Sequence, residues 1–180
     1  LQFDARATWQ PWGDVKYSES DFESTDKPLF AIAGQFETEE VAVPNTAVAP
    51  APSNASQRRN DTFGFDAVLK YKGLFVFFED FERTVDNKLT GAETDERGFN
   101  AQAGYFILKQ KFEVAGRYAE IDPNKDAGND KQREFGVAFG YFYNKHNMKL
   151  QGDFRRLENE TAAPPLDEIN EFRLQLQFIF

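Results

Sequence analysis

The chain has 180 residues, with 21 Lys and Arg against 30 Asp and Glu, a net charge of −9, one His and no Cys. The absence of cysteine excludes disulfides, thiolate metal sites and cysteine nucleophiles, and the acidic balance argues against nucleic acid as a partner. Twenty Phe and six Tyr suit strands better than helices, and no run of about 18 apolar residues offers a helical membrane span.

In chain order the dominant signal is alternation with period two. Residues 1–9 set Leu1, Phe3, Ala5, Ala7 and Trp9 against Gln2, Asp4, Arg6 and Thr8. Leu1 opens directly on this strand with no signal peptide before it, so the chain reads as a mature protein or a piece of a longer one. A long polar connection, 10–28, follows, and its length has no explanation in the pattern. Residues 29–38 read as a strand. The Ala-, Pro-, Asn- and Ser-rich stretch 41–61 reads as an extended loop, and a pore-folded loop is its functional alternative. Residues 62–72 alternate again, with Phe63, Phe65, Ala67, Leu69 and Tyr71 on one parity and Asp66, Lys70 and Lys72 on the other. Stretch 74–83, LFVFFEDFER, is apolar on both parities, so its faces are not assignable. After a polar loop, 84–98, come a strand over 99–108 and cleaner ones over 111–120, 134–143 and 147–155. The tail Glu171–Phe180 sets Phe172, Leu174, Leu176 and Phe178 against Arg173, Gln175 and Gln177.

This makes about nine strands of roughly ten residues, longer than the usual five or six of soluble sheets and long enough to cross a bilayer at a tilt. Connections alternate in length. Tight turns fall at 71–73, 109–111 and 144–147, and long loops at 41–61, 84–98, 121–133 and 158–170. Short turns at one end and long loops at the other are the pattern of outer-membrane barrels. A mean hydropathy of −0.63 is no obstacle, because such strands are only half apolar. Trp9, Trp12, Phe63, Tyr71, Tyr105, Tyr141, Tyr143, Phe178 and Phe180 fall near strand ends, as an interfacial aromatic girdle would.

Stretches 98–124 (GFNAQAGYFILKQKFEVAGRYAEIDPN), 146–160 (HNMKLQGDFRRLENE) and 172–180 (FRLQLQFIF) resemble the C-terminal part of bacterial phosphate-selective porins of the O and P type, and 12–36 resembles porin sequence of this broad group. The resemblance implies a sixteen-stranded, trimeric barrel in the Gram-negative outer membrane that passes anions by diffusion. It further implies contact with outer-membrane lipid and lipopolysaccharide, and a terminal Phe read by the barrel-assembly machinery. Nine strands in residues 1–180 then form a single domain, the C-terminal half of the barrel. The phosphate-site residues of the family have no match here.

The expected fold is therefore all-β, an antiparallel transmembrane β-barrel or half of one. Candidate pore-lining residues are Arg6, Lys70, Lys72, Arg117, Lys149, Arg155 and Arg173, against the acids Asp4, Asp66, Glu113 and Asp153. Rings of one charge sign select ions, and this excess of bases leans toward anions. Arg117 is the first choice for setting the field, and Arg155 and Arg173 come next because adjacent strands place them side by side. Asp122, Asn124, Asp126 and Asp130 are spaced like a calcium loop, but Ala127 and Arg133 stand where that loop needs Gly and Glu. Catalysis has no visible machinery: His146 sits in a turn, Ser18, Ser20, Ser24, Ser53 and Ser56 lie in loops, and neighbours Glu79 and Asp80 face opposite ways. No cofactor is expected. Two rivals remain, a soluble lipocalin-like barrel with its faces inverted around an apolar ligand, and a non-conducting structural barrel.

Overall fold

A computed structural model describes residues 1–16, 18–41, 58–145, 147–162 and 167–179. Among them are nine strands and no helix: β1 (Gln2–Trp9), β2 (Leu29–Val41), β3 (Arg58–Tyr71), β4 (Leu74–Asn87), β5 (Ala92–Leu108), β6 (Phe112–Asp122), β7 (Gln132–Asn144), β8 (Met148–Asn159) and β9 (Glu168–Phe178). Each pairs antiparallel with the next, giving one sheet in chain order with β1 and β9 at its edges. The sheet is open rather than closed on itself, so the closure of the expected barrel is not seen in this chain. Loop 41–61 falls outside the described residues from 42 to 57, as do His146 and Phe180, and its last residues, Arg58 to Asp61, belong to β3. The expected loop 84–98 shrinks to 88–91, because β4 and β5 stay paired through polar residues on both parities.

Register sorts the side chains, because directly opposed residues share a face. Arg6 opposes Gln35, which opposes Gly64. Asp66, Glu79 and Asn100 are aligned in turn, as are Gln102, Arg117, Gly136, Arg155 and Glu171. These define a polar face. Its reverse carries Phe3, Phe36, Phe63, Phe65, Val137, Phe172, Leu174 and Leu176. Leu174 is 61% and Leu176 56% exposed, so this apolar face has no cover among the described residues.

The doubly apolar stretch 74–83 is now explained. Phe75 opposes Lys70, Phe77 opposes Val68 and Glu79 opposes Asp66, which puts all three on the polar face. Leu74, Val76 and Phe78 point the other way. Phe75 and Phe77 are needed on the polar face because a small core lies there. Val15, Ala31, Val68 and Phe75 are buried together, with Leu29 and Phe77 packed against them. Complete burial of such side chains contributes about 1.5–3 kcal/mol each. Val15 comes from connection 10–28, which folds back over the sheet as a strap at the short-turn end.

That end is a continuous rim. Lys72 and Gly73 turn β3 into β4 with φ of 49° and 86°, the paired left-handed geometry of a two-residue hairpin turn. The Phe106 amide donates to Gly73 O, the Phe142 amide to Lys111 O and the Ile179 amide to Asn147 O. Register shifts at Phe106/Leu108 and Phe142/Asn144 mark bulges just before the turns. They re-aim side chains there, and both rings lie buried on the polar face.

Glycines make room for large neighbours elsewhere. A Cβ at Gly98 would meet three Phe81 ring atoms closer than 3.0 Å, and the two residues are cross-strand partners. Gly98→Ala should therefore destabilise the sheet by about 1–3 kcal/mol through overpacking. Adding Phe81→Leu should recover much of that loss in urea melts, whereas equal losses in the single and double variants would count against the packing account.

Candidate polar-face channel site

The strap holds itself down by polar contacts made with buried partners. The Asp21 carboxylate, 2% exposed, accepts the Thr25 amide at 3.0 Å, the Thr25 hydroxyl at 3.1 Å and the Gly73 amide at 2.7 Å. Lys70, 4% exposed, donates from Nζ to Ser18 Oγ at 2.6 Å and to the Ser20 carbonyl at 3.1 Å. The Phe22 ring lies 5.5 Å from Phe106 and 5.2 Å from Phe142, centroid to centroid. One connection thus bridges three hairpins of the rim.

Two hollows result on the polar face. The larger, about 710 Å³, lies between the strap and β6–β8, with Lys70, Glu113, Lys149 and Gln151 in its wall. The smaller, about 250 Å³, is walled by Gln102, Arg117, Glu134, Asp153, Arg155 and Arg173. Glu19 of the strap lines both.

The structure redistributes the expected pore-lining set. Arg117, Lys149, Arg155 and Arg173 stand together on the polar face of β6, β8 and β9. Arg173 Nε donates to Asp153 at 3.0 Å, and Arg155 reaches Glu171 at 2.6 Å. Because Arg155 opposes Glu171 and Asp153 opposes Arg173, the two arginines are diagonal neighbours, as adjacent strands allow. Gly136 lies between Arg117 and Arg155 and offers no side chain. Both guanidinium groups lean instead toward Glu134, each at 3.8 Å, beyond hydrogen-bond range. Arg6 also shares this face, bound to the buried Asp66 at 2.7 Å. Lys70 is spent on anchoring the strap. Lys72 belongs to the turn, with its Nζ 5.1 Å from the Tyr71 ring centroid, and does not join the others.

The acids are more numerous than the cleanly alternating strands foretold. Glu37, Glu79, Glu96, Glu134 and Glu171 join Asp4, Asp66, Glu113 and Asp153 on the polar face. The excess of bases therefore does not extend over the whole face. What remains is the guanidinium row of Arg117, Arg155 and Arg173, set among the acids Glu134, Asp153 and Glu171.

The apolar face ends in an ionic belt toward the long loops. Arg97 meets Asp80 at 2.7 Å, Arg133 meets Glu120 at 3.0 Å, and Arg156 meets Glu168 at 2.6 Å. Lys131, in the loop, donates to Glu120 at 2.8 Å, and that bond holds its ammonium above the ordinary lysine range. Beside the belt runs a chain of touching rings, Phe65–Phe78–Phe99–Tyr118–Phe135, with centroids 4.8 to 6.0 Å apart. Trp9, Tyr71, Tyr105 and Tyr143 lie at the opposite, short-turn border.

The calcium-spaced residues do not converge. Among the described residues no three His, Cys, Asp or Glu side chains are grouped to hold a metal. Within 122–130 the Asn124 side chain accepts the Asp126 amide at 3.1 Å, and Lys125 ties the loop to Glu82 at 3.1 Å. Glu79 lies on the polar face, whereas Asp80 points away to Arg97.

The strap was missed by strand-pattern reasoning. Its signal was present, since a run apolar on both faces needs a partner on each. No family model, curated protein or solved structure matches the chain.

Proposed function

We propose that this chain is the wall of an outer-membrane diffusion pore, of the phosphate-selective porin kind that its sequence resembles. Solutes that are small and hydrophilic pass along the polar face, and the guanidinium row favours anions such as phosphate. The observation that carries this reading is the uncovered apolar band. Phe63 and Tyr71, like Phe135 and Tyr143, are eight residues apart. That is about 26 Å along a strand and about 20 Å along the normal for strands tilted by about 40°, close to the apolar height of about 25 Å between aromatic girdles. A soluble ligand-binding barrel would bury Leu174 and Leu176 in its interior, and their exposure of 61% and 56% supports the lipid-facing reading instead. The belt and the long loops then lie at the outer, lipopolysaccharide side, and the strap at the periplasmic mouth.

The strap itself favours a second reading, a structural barrel whose lumen is stopped. Recording from the full chain in planar bilayers separates the two. Stepwise conductance with a reversal potential displaced toward that of chloride supports the pore, and Arg117→Ala combined with Arg155→Ala should reduce that displacement. A chain that inserts as a closed barrel, with β1 paired to β9, and still does not conduct would establish the stopped barrel. Equal permeability for chloride and potassium would remove the anion preference and leave the pore.

A further inference from the structure

We infer that Glu19 is a selectivity-determining residue that opposes the arginines. The inference rests on the pore reading above and adds a second charge element to it, supplied by the strap and not by the sheet. Three observations meet at this side chain. Glu19 borders both the larger and the smaller hollow, so it stands where the two join. The smaller hollow also has Arg117, Arg155 and Arg173 in its wall. The strap segment that presents Glu19 is pinned on either side by Lys70 on Ser18 and Ser20 and by Asp21 on Gly73.

The chemistry follows from the charges. Residues 10–28 hold five acids, Asp14, Glu19, Asp21, Glu23 and Asp26, against Lys16 and Lys27. Asp21 is consumed by backbone and hydroxyl donors, and Glu23 faces Lys16 at 3.6 Å. Glu19 is exposed, and it forms no ion pair with a described residue. Its carboxylate therefore acts on the water space beside it. An anion drawn to the guanidinium row meets that carboxylate at the passage between the hollows. The residue lowers anion preference and admits cations beside the row, so the pore passes both signs where the arginines alone would bias it strongly.

The test is the reversal potential of the full chain in planar bilayers under a potassium chloride gradient, for wild type, Glu19→Gln, Glu19→Lys and Glu23→Gln. Because Glu19 is exposed and unpaired, its replacements leave the fold intact. Glu19→Gln should raise the chloride-to-potassium permeability ratio roughly threefold, the scale of one unit charge about 6 Å from a permeating ion in water-like surroundings. Glu19→Lys should raise it further, and Glu23→Gln should leave it nearly unchanged. Conducting channels whose reversal potential is the same for wild type, Glu19→Gln and Glu19→Lys would overturn the role of Glu19 alone. A wild-type chain that makes no channel would overturn the pore reading and this inference with it.

Discussion

Replacing Asp21 by alanine should set the strap loose while leaving the sheet paired. The carboxylate is buried and accepts from two backbone amides and one hydroxyl. Hydrogen bonds to a charged group contribute about 1.5–3 kcal/mol each, and removing the acceptor leaves the buried donors unsatisfied. Even a partial loss of about 3 kcal/mol would raise the open population of the strap roughly a hundredfold, since local opening is governed by its own free energy rather than the global one. Hydrogen exchange at the Thr25 and Gly73 amides should speed up by that factor, and trypsin should cleave faster after Lys16. Cross-strand amides of β6–β9 should keep their protection. Asp21→Asn retains an acceptor oxygen and should loosen the strap less. Unchanged exchange at Gly73 in Asp21→Ala would show that the other contacts of the strap, Val15 in the core, Lys70 on Ser18 and Ser20 and Phe22 on its two rings, hold the segment without Asp21.

Placing a lysine at Leu174 should cost about 2–4 kcal/mol in lipid vesicles, the cost of a base near the bilayer midplane on the outer face of a barrel. The prediction is sharp because the same change would be nearly free in water: Leu174 is already 61% exposed, and exposed substitutions usually stay within about 0.5 kcal/mol. Gln175→Lys, one residue along on the polar face, is the control and should change little in either setting. Urea unfolding from vesicles measures both. If Leu174→Lys and Gln175→Lys lose equal stability, the apolar face does not meet lipid.

Much of this fold could be read from alternation alone. β1, β3, β6, β7, β8 and β9 announce themselves by period two, and their faces agree with the register because a single residue of slip would turn every side chain over. The difficult stretches were those whose environment departs from two-sided simplicity. β4 is apolar on both parities because it meets the strap on one side and none of the described residues outside the sheet on the other. Lys70 alternates like a pore-lining base, but a buried ammonium needs partners, and Ser18 and Ser20 supply them from a segment 50 to 52 residues away in sequence. Lys72 keeps the parity of its strand only on paper, since the turn has already begun there. None of these arises from local propensity; each depends on what packs across the polar face.

The sequential order of the strands has a kinetic consequence. Every strand pairs with its neighbour in the chain, so the sheet can zip up hairpin by hairpin, at the small entropic cost of short loop closures. The strap cannot take part in that process. Its seat includes Gly73, Phe106 and Phe142, which belong to three successive hairpins, and it lies ahead of all of them in the chain. Complete docking of Phe22 therefore waits for the seventh strand, which carries Phe142, to join the sheet. A probe on that ring would report the assembly of most of the sheet, not its first hairpin.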